Sequence, residues 1–341
     1  MAEVIVGQPA MWRAIAHHPL NSLFSSRPWT EAVARTYGFE VSASMLSDGP
    51  SEKADGALLF SQICDLRGER IVCSPFSDYC DPLAGDVETW RELVAPLIAS
   101  GVPVTLRCLR NQIPVEDERF TKVGEVAWHG IDRPELEIWK GLLGPARQNI
   151  RKAERQGITI RTSRTLDDLH VFYRMHCHVR KSKYRLLPQP FAFFEQLHAA
   201  FADEGLAVLL AELDGTAVAG SVYLAHGDTL FYKFNASVDR AMCPNDLLVW
   251  AGIRLGLERG LKLFDFGASD LDQPGLLRFK RKFATTERTI VRLSCIPEGH
   301  LDPRAQFATG TLKALSHWLT DPGVPDTITQ AASADFYRLF C

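Results

Sequence analysis

The pattern of hydrophobic and polar residues divides the second half of the chain into a regular series of helices and strands. Runs with a helical period tend to open at proline and close at glycine, whereas the runs between them alternate with a period of two. The predicted order is helix 144–157, strand 158–163, a helix with Thr165 as its cap, helix 188–205, strands 206–214, 218–225 and 229–236, helix 245–260 with Asn245 as its cap, and strand 262–267. Asp-Gly and Gly-Asp dipeptides at 214–215 and 227–228 are typical of tight hairpins between strands. This half is therefore predicted to be α+β with a mostly antiparallel central sheet.

The first half shows the same mixture of helical and strand periods, with fewer proline and glycine residues marking where the elements begin and end. Its predicted elements are helix 28–38, strands 56–66 and 70–76 on either side of a turn at 67–69, helix 87–100 and strand 102–109. A chain of 341 residues is long enough for two domains. We place a diverged N-terminal domain at 1–143, a second domain at 144–300 and a C-terminal extension at 301–341.

Composition narrows the class of protein. Hydrophobic residues make up 46% of the chain and charged residues 23%, the balance of a globular protein with an ample core. The formal net charge of −3 excludes a polycation that coats nucleic acid, so any electrostatic recognition must come from a local patch. Residues 1–20 lack the basic start and apolar run of a signal peptide, and no stretch approaches the roughly 18 apolar residues of a membrane span.

The cysteines indicate a reducing environment. None of the eight forms a Cys-x-x-Cys pair, so their spacing predicts neither a zinc site nor a disulfide scaffold. We therefore expect a cytoplasmic protein in which cysteines act as small core residues. His176-Cys177-His178 also predicts no metal site, because residues two apart on a helix point about 200° away from each other.

Several segments together resemble the FemAB-like branch of the GNAT acyltransferase superfamily, which includes the peptidoglycan interpeptide-bridge aminoacyltransferases. The matching segments are 23–39, 146–157, 173–181, 214–237, 244–269 and 275–283. The resemblance implies two tandem GNAT-like domains, each with a central, mostly antiparallel sheet flanked by helices. It also implies transfer of an aminoacyl group from aminoacyl-tRNA to an amine, on a cell-wall precursor or a small metabolite. The long helical hairpin that some bridge enzymes insert is absent, and no cofactor is expected.

The catalytic candidate is Lys280 in the segment Phe279-Lys280-Arg281-Lys282-Phe283. In the resembling enzymes, the lysine after this phenylalanine is at the reaction centre, where its charge can stabilise a tetrahedral oxyanion. An ester of tRNA is already activated, so a covalent nucleophile is not required, and the chain has no Gly-x-Ser-x-Gly elbow. The competing interpretation is a solvated basic strand end. Phe279 and Lys282 are weaker candidates for substrate contact.

Polar residues on two adjacent predicted strands are further candidates. Tyr232, Lys233 and Asn235 lie on strand 229–236, and Asp265 lies on strand 262–267. Strand alternation predicts Tyr232 on the opposite face from Lys233 and Asn235. Tyr232 is expected to hydrogen-bond the acceptor, and Asp265 to order a basic group or take a proton. Core or capping roles are the alternative for each residue.

A basic helix face is the candidate for phosphate contact. Arg147, Arg151, Lys152 and Arg155 lie on helix 144–157, and the segment 147–185 carries eleven Lys and Arg against three Asp and Glu. Such a patch suits the phosphates of a tRNA, a nucleotide sugar or a coenzyme. The alternative is a solvated face paired with acids such as Glu154.

Three functions remain open from the sequence: aminoacyl transfer from tRNA, N-acyl transfer from acyl-CoA, and a non-catalytic binding module. GNAT enzymes that use coenzyme A carry a glycine-rich loop whose N–H groups cradle the pyrophosphate. The corresponding segment here, SVDRAMCPND at 237–246, contains no glycine, which counts against coenzyme A. The intact Phe-Lys segment counts against a degraded binding module.

Overall fold

The computed structural model describes residues 2–7, 9–46, 55–132, 135–203, 205–239, 241–300 and 303–341. Glu204 and Arg240, which belong to segments discussed above, lie outside the described residues. The chain forms two compact units. Unit 1 comprises Met1–Val126, Thr289–Ala314 and Arg338–Cys341, and unit 2 comprises Ala127–Arg288 and Leu315–Tyr337. Both units are discontinuous in sequence, whereas the domains predicted above were contiguous.

The helices and strands predicted from the sequence periods occur in the predicted order, and the structure adds further elements that were not predicted. In chain order they are β1 (Glu3–Val6), α1 (Pro9–Ala16), α2 (Arg27–Tyr37), β2 (Ser42–Leu46), β3 (Gly56–Asp65), β4 (Gly68–Val72), α3 (Val87–Ala99), β5 (Val104–Cys108), β6 (Thr121–Ile131), α4 (Glu135–Gly141), α5 (Gly144–Arg155), β7 (Thr159–Ser163), α6 (Leu166–Val179), α7 (Phe191–Ala200), β8 (Leu206–Leu213), β9 (Thr216–His226), β10 (Thr229–Ser237), α8 (Pro244–Glu258), β11 (Leu263–Asp270), α9 (Pro274–Arg281), β12 (Thr286–Cys295), α10 (Pro303–Leu319) and α11 (Asp326–Phe336). A π-helical turn at Arg180–Tyr184 extends α6. Among the described residues, no helix is both long and apolar enough to cross a bilayer.

Unit 1 is built on a sheet with the strand order β1-β2-β3-β4-β5-β12. Its pairs are antiparallel except for β4 and β5, which run parallel where Ile71 and Val72 face Val104 and Thr105. Helix α3 buries Trp90, Leu93, Val94 and Leu97 against one face of this sheet. A second apolar cluster forms from α1, β2 and β3.

Unit 2 repeats this plan on the strand order β6-β11-β10-β9-β8-β7. Strands β7 to β10 are antiparallel, and β10 and β11 are parallel. Helices α5 and α8 pack on one face through buried residues such as Ile150, Leu248 and Ile253. In both units a strand and two helices precede three antiparallel strands, one helix and a parallel strand. The predicted α+β class with two tandem GNAT-like sheets is confirmed.

The local signals in the sequence are mostly correct. The Thr165 hydroxyl caps α6 by accepting from the Asp168 N–H at 3.2 Å. Asp214 and Gly215 both have positive φ, as a tight hairpin requires. The prediction that Asn245 caps α8 is wrong: the cap is Cys243, and Asn245 lies within the first turn, where it accepts from the Asn235 side chain at 3.2 Å.

The prediction that Tyr232 and Asn235 face opposite sides of β10 is also wrong. An irregularity between Tyr232 and Phe234 in the pairing with β9 shifts the side-chain alternation by one residue. Tyr232 and Asn235 therefore both lie on the α8 face, where Tyr232 packs with Phe264 and Phe266. Phe234 points the other way, towards Phe194 of α7 at a ring distance of 4.9 Å.

Helix α8 approaches β9 closely because a glycine faces a tyrosine. The Tyr223 ring is fully buried and its hydroxyl donates to the Leu248 carbonyl at 2.9 Å. A Cβ at Gly252 would meet the Cζ and hydroxyl of Tyr223 and lie 2.5 Å from its Cε1, whereas a Cβ at Gly256 would meet only Leu230, at 3.4 Å.

We expect Gly252→Ala to destabilise the protein by about 1–3 kcal/mol, because the methyl group must displace a buried ring. Gly256→Ala on the same helix is the matched control, and it should be neutral or stabilising by up to about 1 kcal/mol. Urea denaturation of both variants measures the difference. Equal stability of the two variants would mean that this contact between α8 and β9 is not tight.

Candidate active site

Two parallel strands of unit 2 pair only over their first residues. Thr229–Phe231 of β10 faces Leu263–Asp265 of β11, yet β10 continues to Ser237 and β11 to Asp270. Between the described residues of these strands, no paired position follows Phe231 and Asp265. Backbone groups beyond this point can therefore bond to side chains, and the predicted catalytic residues lie around it.

Lys280 is buried in this region, on helix α9 and not at a strand end. Its side chain is 3% exposed, and Nζ donates to the carbonyls of Gly267 at 3.0 Å and Ala268 at 2.9 Å. Consecutive carbonyls of a regular strand point in opposite directions. Gly267 has a φ of +67°, a conformation that glycine adopts at little cost, and this turn of the backbone lets both carbonyls reach one ammonium group.

Asp265 stabilises the same turn through a hydrogen bond. Its carboxylate is fully buried, and Oδ1 accepts from the Gly267 N–H at 2.6 Å. The carboxylate thus fixes the residue whose carbonyl holds Lys280. Of the two roles predicted for Asp265, this geometry favours ordering a basic group.

Tyr232 is the first residue of β10 after the pairing ends. Burial raises the pKa of its phenol above the ordinary value, a hydrogen bond from Ser221 opposes this, and Asp246 and Tyr184 add to the rise. The phenol is therefore protonated at neutral pH. A neutral phenol in a site can donate a hydrogen bond to an acceptor molecule.

A buried ion pair joins α8 to the segment after α9, and its acidic member was not among the residues predicted from the sequence. Lys282 Nζ contacts Oδ1 of Asp246, and their side chains are 16% and 7% exposed. Burial raises the pKa of the Asp246 carboxyl, whereas Lys282 and a hydrogen bond from Asn149 lower it. The only signal for Asp246 was an acid in the first turn of a helix, which is common at surfaces. Lys282 Nζ also lies 4.7 Å from the centre of the Phe279 ring, so both predicted residues belong to this contact.

Asn235 and Lys233 occupy different environments on β10. Asn235 Nδ2 donates to the Ser221 hydroxyl at 3.0 Å and to the Gly220 carbonyl at 3.2 Å, so its amide links β9, β10 and α8. Lys233 Nζ lies 6.0 Å from the centre of the Phe234 ring. The two were predicted to share a face, and the irregularity at this point of β10 gives them separate surroundings.

The basic face of α5 divides into internal and exposed members. Arg147 Nη1 donates to the Lys140 carbonyl at 2.9 Å and also contacts the Leu142 carbonyl, which satisfies the end of α4. Lys152 Nζ donates to the Ala241 carbonyl at 2.8 Å, which ties α5 to the loop before α8. Arg151 and Arg155 are exposed. Because exposed side chains can contact phosphates more readily, this geometry favours Arg151 and Arg155 for that role over Arg147 and Lys152.

Further along, most of the basic segment is also engaged within unit 2. Arg161 bonds Asp168 at 2.6 Å, Lys181 bonds Asp326 at 2.6 Å, and Arg185 bonds Asp321 at 3.2 Å. These pairs are largely at the surface and contribute little individually. Several basic side chains of 147–185 therefore form ion pairs within the fold, as the alternative interpretation proposed.

His176 and His178 diverge as the helix geometry requires. His176 is buried among Phe172, Phe194 and Phe234, and its Nε2 bonds Gln189 Oε1 at 2.8 Å, whereas His178 is exposed. Burial, aided by the nearby Arg180, lowers the pKa of His176 to about 3.

Comparison with known proteins concerns the fold in which this site lies. Residues 145–281 match the model of the acetyltransferase (GNAT) domain family. Over 91% of this chain and 100% of the other, the fold is similar to that of FemX, with a TM-score of 0.65 and 15% identity. It is also similar to the C-terminal domain of a putative lysylphosphatidylglycerol synthetase from Agrobacterium fabrum (TM-score 0.57, 16% identity, 90% and 96% of the two chains). A tandem GNAT protein from the clavulanic acid biosynthesis pathway matches with a TM-score of 0.53, 12% identity, and 89% and 100% of the two chains.

No curated protein sequence matches the chain with significance. The expected resemblance to the FemAB-like branch of GNAT proteins is confirmed at the level of the fold, and the chain has a GNAT acyltransferase fold.

We expect Lys282→Met to lose about 3 kcal/mol of stability near neutral pH, because the buried carboxylate of Asp246 is left without its ammonium partner. Without that partner, burial raises the pKa of Asp246 further above its value in the unfolded chain. Falling pH then protonates the folded variant first, so its deficit should shrink between about pH 7.5 and about pH 5. Urea denaturation at both pH values measures this, with the exposed Lys262→Met as control. A deficit that does not change with pH would contradict the ion pair.

His176 should make the protein sensitive to acid. Its pKa is about 3 in the folded protein and 6.5 in the unfolded chain. Below about pH 6.5 the imidazole is therefore protonated in the unfolded state and stays neutral in the folded state. The stability advantage of the native chain over His176→Phe should therefore fall by about 2 kcal/mol between about pH 6.5 and about pH 5. Denaturation curves of this variant and of His178→Gln test it. A parallel pH dependence of the native chain and His176→Phe would refute the assignment.

Proposed function

We propose that this chain transfers an aminoacyl group from aminoacyl-tRNA to the amine of a small molecule or a cell-wall precursor. The GNAT acyltransferase fold supports acyl or aminoacyl transfer as the reaction class. The cytoplasmic location expected from the cysteines is consistent with a tRNA donor. No cofactor enters the reaction in this proposal.

Lys280 supplies the electrostatic stabilisation. When the amine attacks the ester carbonyl, the carbonyl oxygen gains negative charge, and a fixed positive charge lowers the energy of that state. The two carbonyls of Gly267 and Ala268 hold the ammonium group in position before the reaction, so little reorganisation is needed. The ester C–O bond to the tRNA ribose then breaks as the amide bond forms, and the proton lost by the amine passes to the ribose oxygen, so the tRNA leaves with a free hydroxyl.

Tyr232 and Asp265 have supporting roles. The neutral phenol of Tyr232 donates a hydrogen bond to the acceptor, which orients it towards the carbonyl carbon. Asp265 acts through Gly267 and is a positioning residue. Arg151 and Arg155 contact phosphates of the donor, and the more enclosed Lys233, Asn235, Phe279 and Lys282 line the substrate side of the site.

The choice of donor depends on the hydrogen bonds of the loop before α8. To bind the pyrophosphate of coenzyme A, the backbone N–H groups of this loop would have to point at it. The Ala241 N–H donates instead to the Asp239 carboxylate at 2.8 Å, and the Val238 N–H donates to the Val218 carbonyl at 3.1 Å. Pro244 has no N–H, and the Asp239 carboxylate would repel a pyrophosphate. These contacts support a donor other than coenzyme A.

Acyl-CoA remains the second candidate donor because the matched family is described as an acetyltransferase domain. The two donors predict different labelled products. The purified protein would be incubated with tRNA charged with radiolabelled amino acids, or with labelled acyl-CoA thioesters, and a cell extract supplying acceptors. Loss of label from one tRNA class would support the proposal, whereas consumption of a thioester would establish the second candidate.

Lys280→Met should lower the transfer rate by about 100- to 1,000-fold, because it removes the charge but keeps a side chain of similar length. Lys262→Met, which removes an exposed lysine of the same unit, should keep the native rate. Lys280→Arg restores a cation, and partial recovery with it would separate a loss of charge from a loss of folding. Native activity in a folded Lys280→Met protein would overturn the role of this residue.

A further inference from the structure

The hydroxyl group of Ser269 on β11 is buried beside the reaction centre and has no role in the reaction described above. Ser269 is 3% exposed, as is Lys280. Among the described residues, its Oγ has no hydrogen-bond partner. Nearly all buried polar atoms in native proteins are paired, because an unpaired one is disfavoured. A serine has only this one polar side-chain atom, so no second contact compensates for the missing bond.

Ser269 lies directly after the residues that hold the catalytic lysine. The carbonyl of Ala268 accepts from Lys280 Nζ at 2.9 Å. Covalent geometry therefore keeps the Oγ of Ser269 within about 8 Å of that ammonium group. Ser269 also belongs to the part of β11 beyond Asp265, where the described residues form no paired position with β10. A molecule that reaches Lys280 at this end of β11 can therefore reach Ser269 as well.

Other buried serines of unit 2 show how a structural hydroxyl is bonded. Ser221 accepts from Asn235 Nδ2 at 3.0 Å, and Ser316 accepts from the Leu187 N–H at 3.3 Å. Both serines are as buried as Ser269. Each of their hydroxyls satisfies a polar group of the fold, whereas that of Ser269 satisfies none in the part of the chain that the structure describes. A hydroxyl with no bond inside the fold can bond to a reactant.

We infer that Ser269 is a further catalytic residue, whose hydroxyl donates a second hydrogen bond to the oxygen that becomes negative when the amine attacks. This inference rests on the acyl transfer proposed for unit 2. The acceptor nitrogen bonds to the ester carbon, and the carbonyl electron pair moves to the oxygen, which meets both the Lys280 ammonium group and the Ser269 hydroxyl. The oxyanion then expels the ribose oxygen, which takes up the amine proton. Ser269 keeps its own proton throughout.

Transfer kinetics with charged tRNA test this role. We expect Ser269→Ala to lower kcat by about 10- to 100-fold and to leave KM within about twofold, because the lost hydrogen bond forms only in the transition state. Ser269→Thr keeps a hydroxyl and should recover part of the rate. An unchanged kcat in folded Ser269→Ala, or a change confined to KM, would overturn the inference. An aminoacyl ester on Ser269, detected by mass spectrometry, would also overturn it, since the residue would then be a nucleophile.

Thermal unfolding separates this role from a structural one. Ser269→Ala should melt at or above the native temperature, because it removes a buried hydroxyl that has no partner within the described fold. Ser316→Ala is the matched control, since it leaves the Leu187 N–H without its acceptor. It should lower the melting temperature by about 2–5 °C and keep the native transfer rate. A similar loss of stability in Ser269→Ala would contradict the inference, because its hydroxyl would then have a structural partner.

Failure of the proposed function is distinguishable because it is seen in the native chain alone. If the native chain transfers nothing from charged tRNA but consumes an acyl-CoA thioester, the proposed donor is wrong, and Ser269→Ala is compared with the native chain on the thioester. If the native chain transfers from charged tRNA and Ser269→Ala matches its rate, the proposed function stands and the role of Ser269 is wrong.

Discussion

A buried ammonium group must be surrounded by acceptors, and the arrangement of unit 2 around Lys280 follows from that requirement. Leaving a charge of this kind without partners would cost several kcal/mol. The carbonyls of Gly267 and Ala268 supply the acceptors, the positive φ of Gly267 directs them to one point, and Asp265 fixes the turn. The early end of the pairing between β10 and β11 leaves this stretch of backbone open to side chains. Removing any of these features would leave the ammonium group of Lys280 with fewer or misplaced acceptors.

The fold was predictable from the sequence wherever the deciding interaction is local. Thr165 caps α6 through its own next turn, and the hairpin at Asp214 and Gly215 needs only two residues with positive φ. Helical and strand periods are also local, because each reports one face of one element. For this reason the fold class was correct, and the elements that were predicted occur in the predicted order, whereas others such as β1, β6 and β12 were missed.

The site was less predictable because its contacts join distant parts of the sequence. Lys282 pairs with Asp246, 36 residues away, and Lys152 bonds the Ala241 carbonyl, 89 residues away. A basic residue on a helix gives the same sequence signal whether it meets a phosphate or a backbone carbonyl. No glycine or proline marks the irregular pairing between Tyr232 and Phe234 in the sequence. A prediction from simple strand alternation therefore placed Asn235 on the wrong face.

The order in which the two sheets acquire their strands has a consequence for synthesis on the ribosome. Strand β5 of unit 1 pairs with Val291–Cys295 of β12, and all of Ala127–Arg288 is translated between them. Every strand of the unit 2 sheet thus leaves the exit tunnel before the unit 1 sheet can gain its last strand. Until then β5 presents an unpaired edge, the feature of a nascent chain most open to wrong pairing. Folding of the N-terminal unit therefore finishes late, although its first residues are the first to be made.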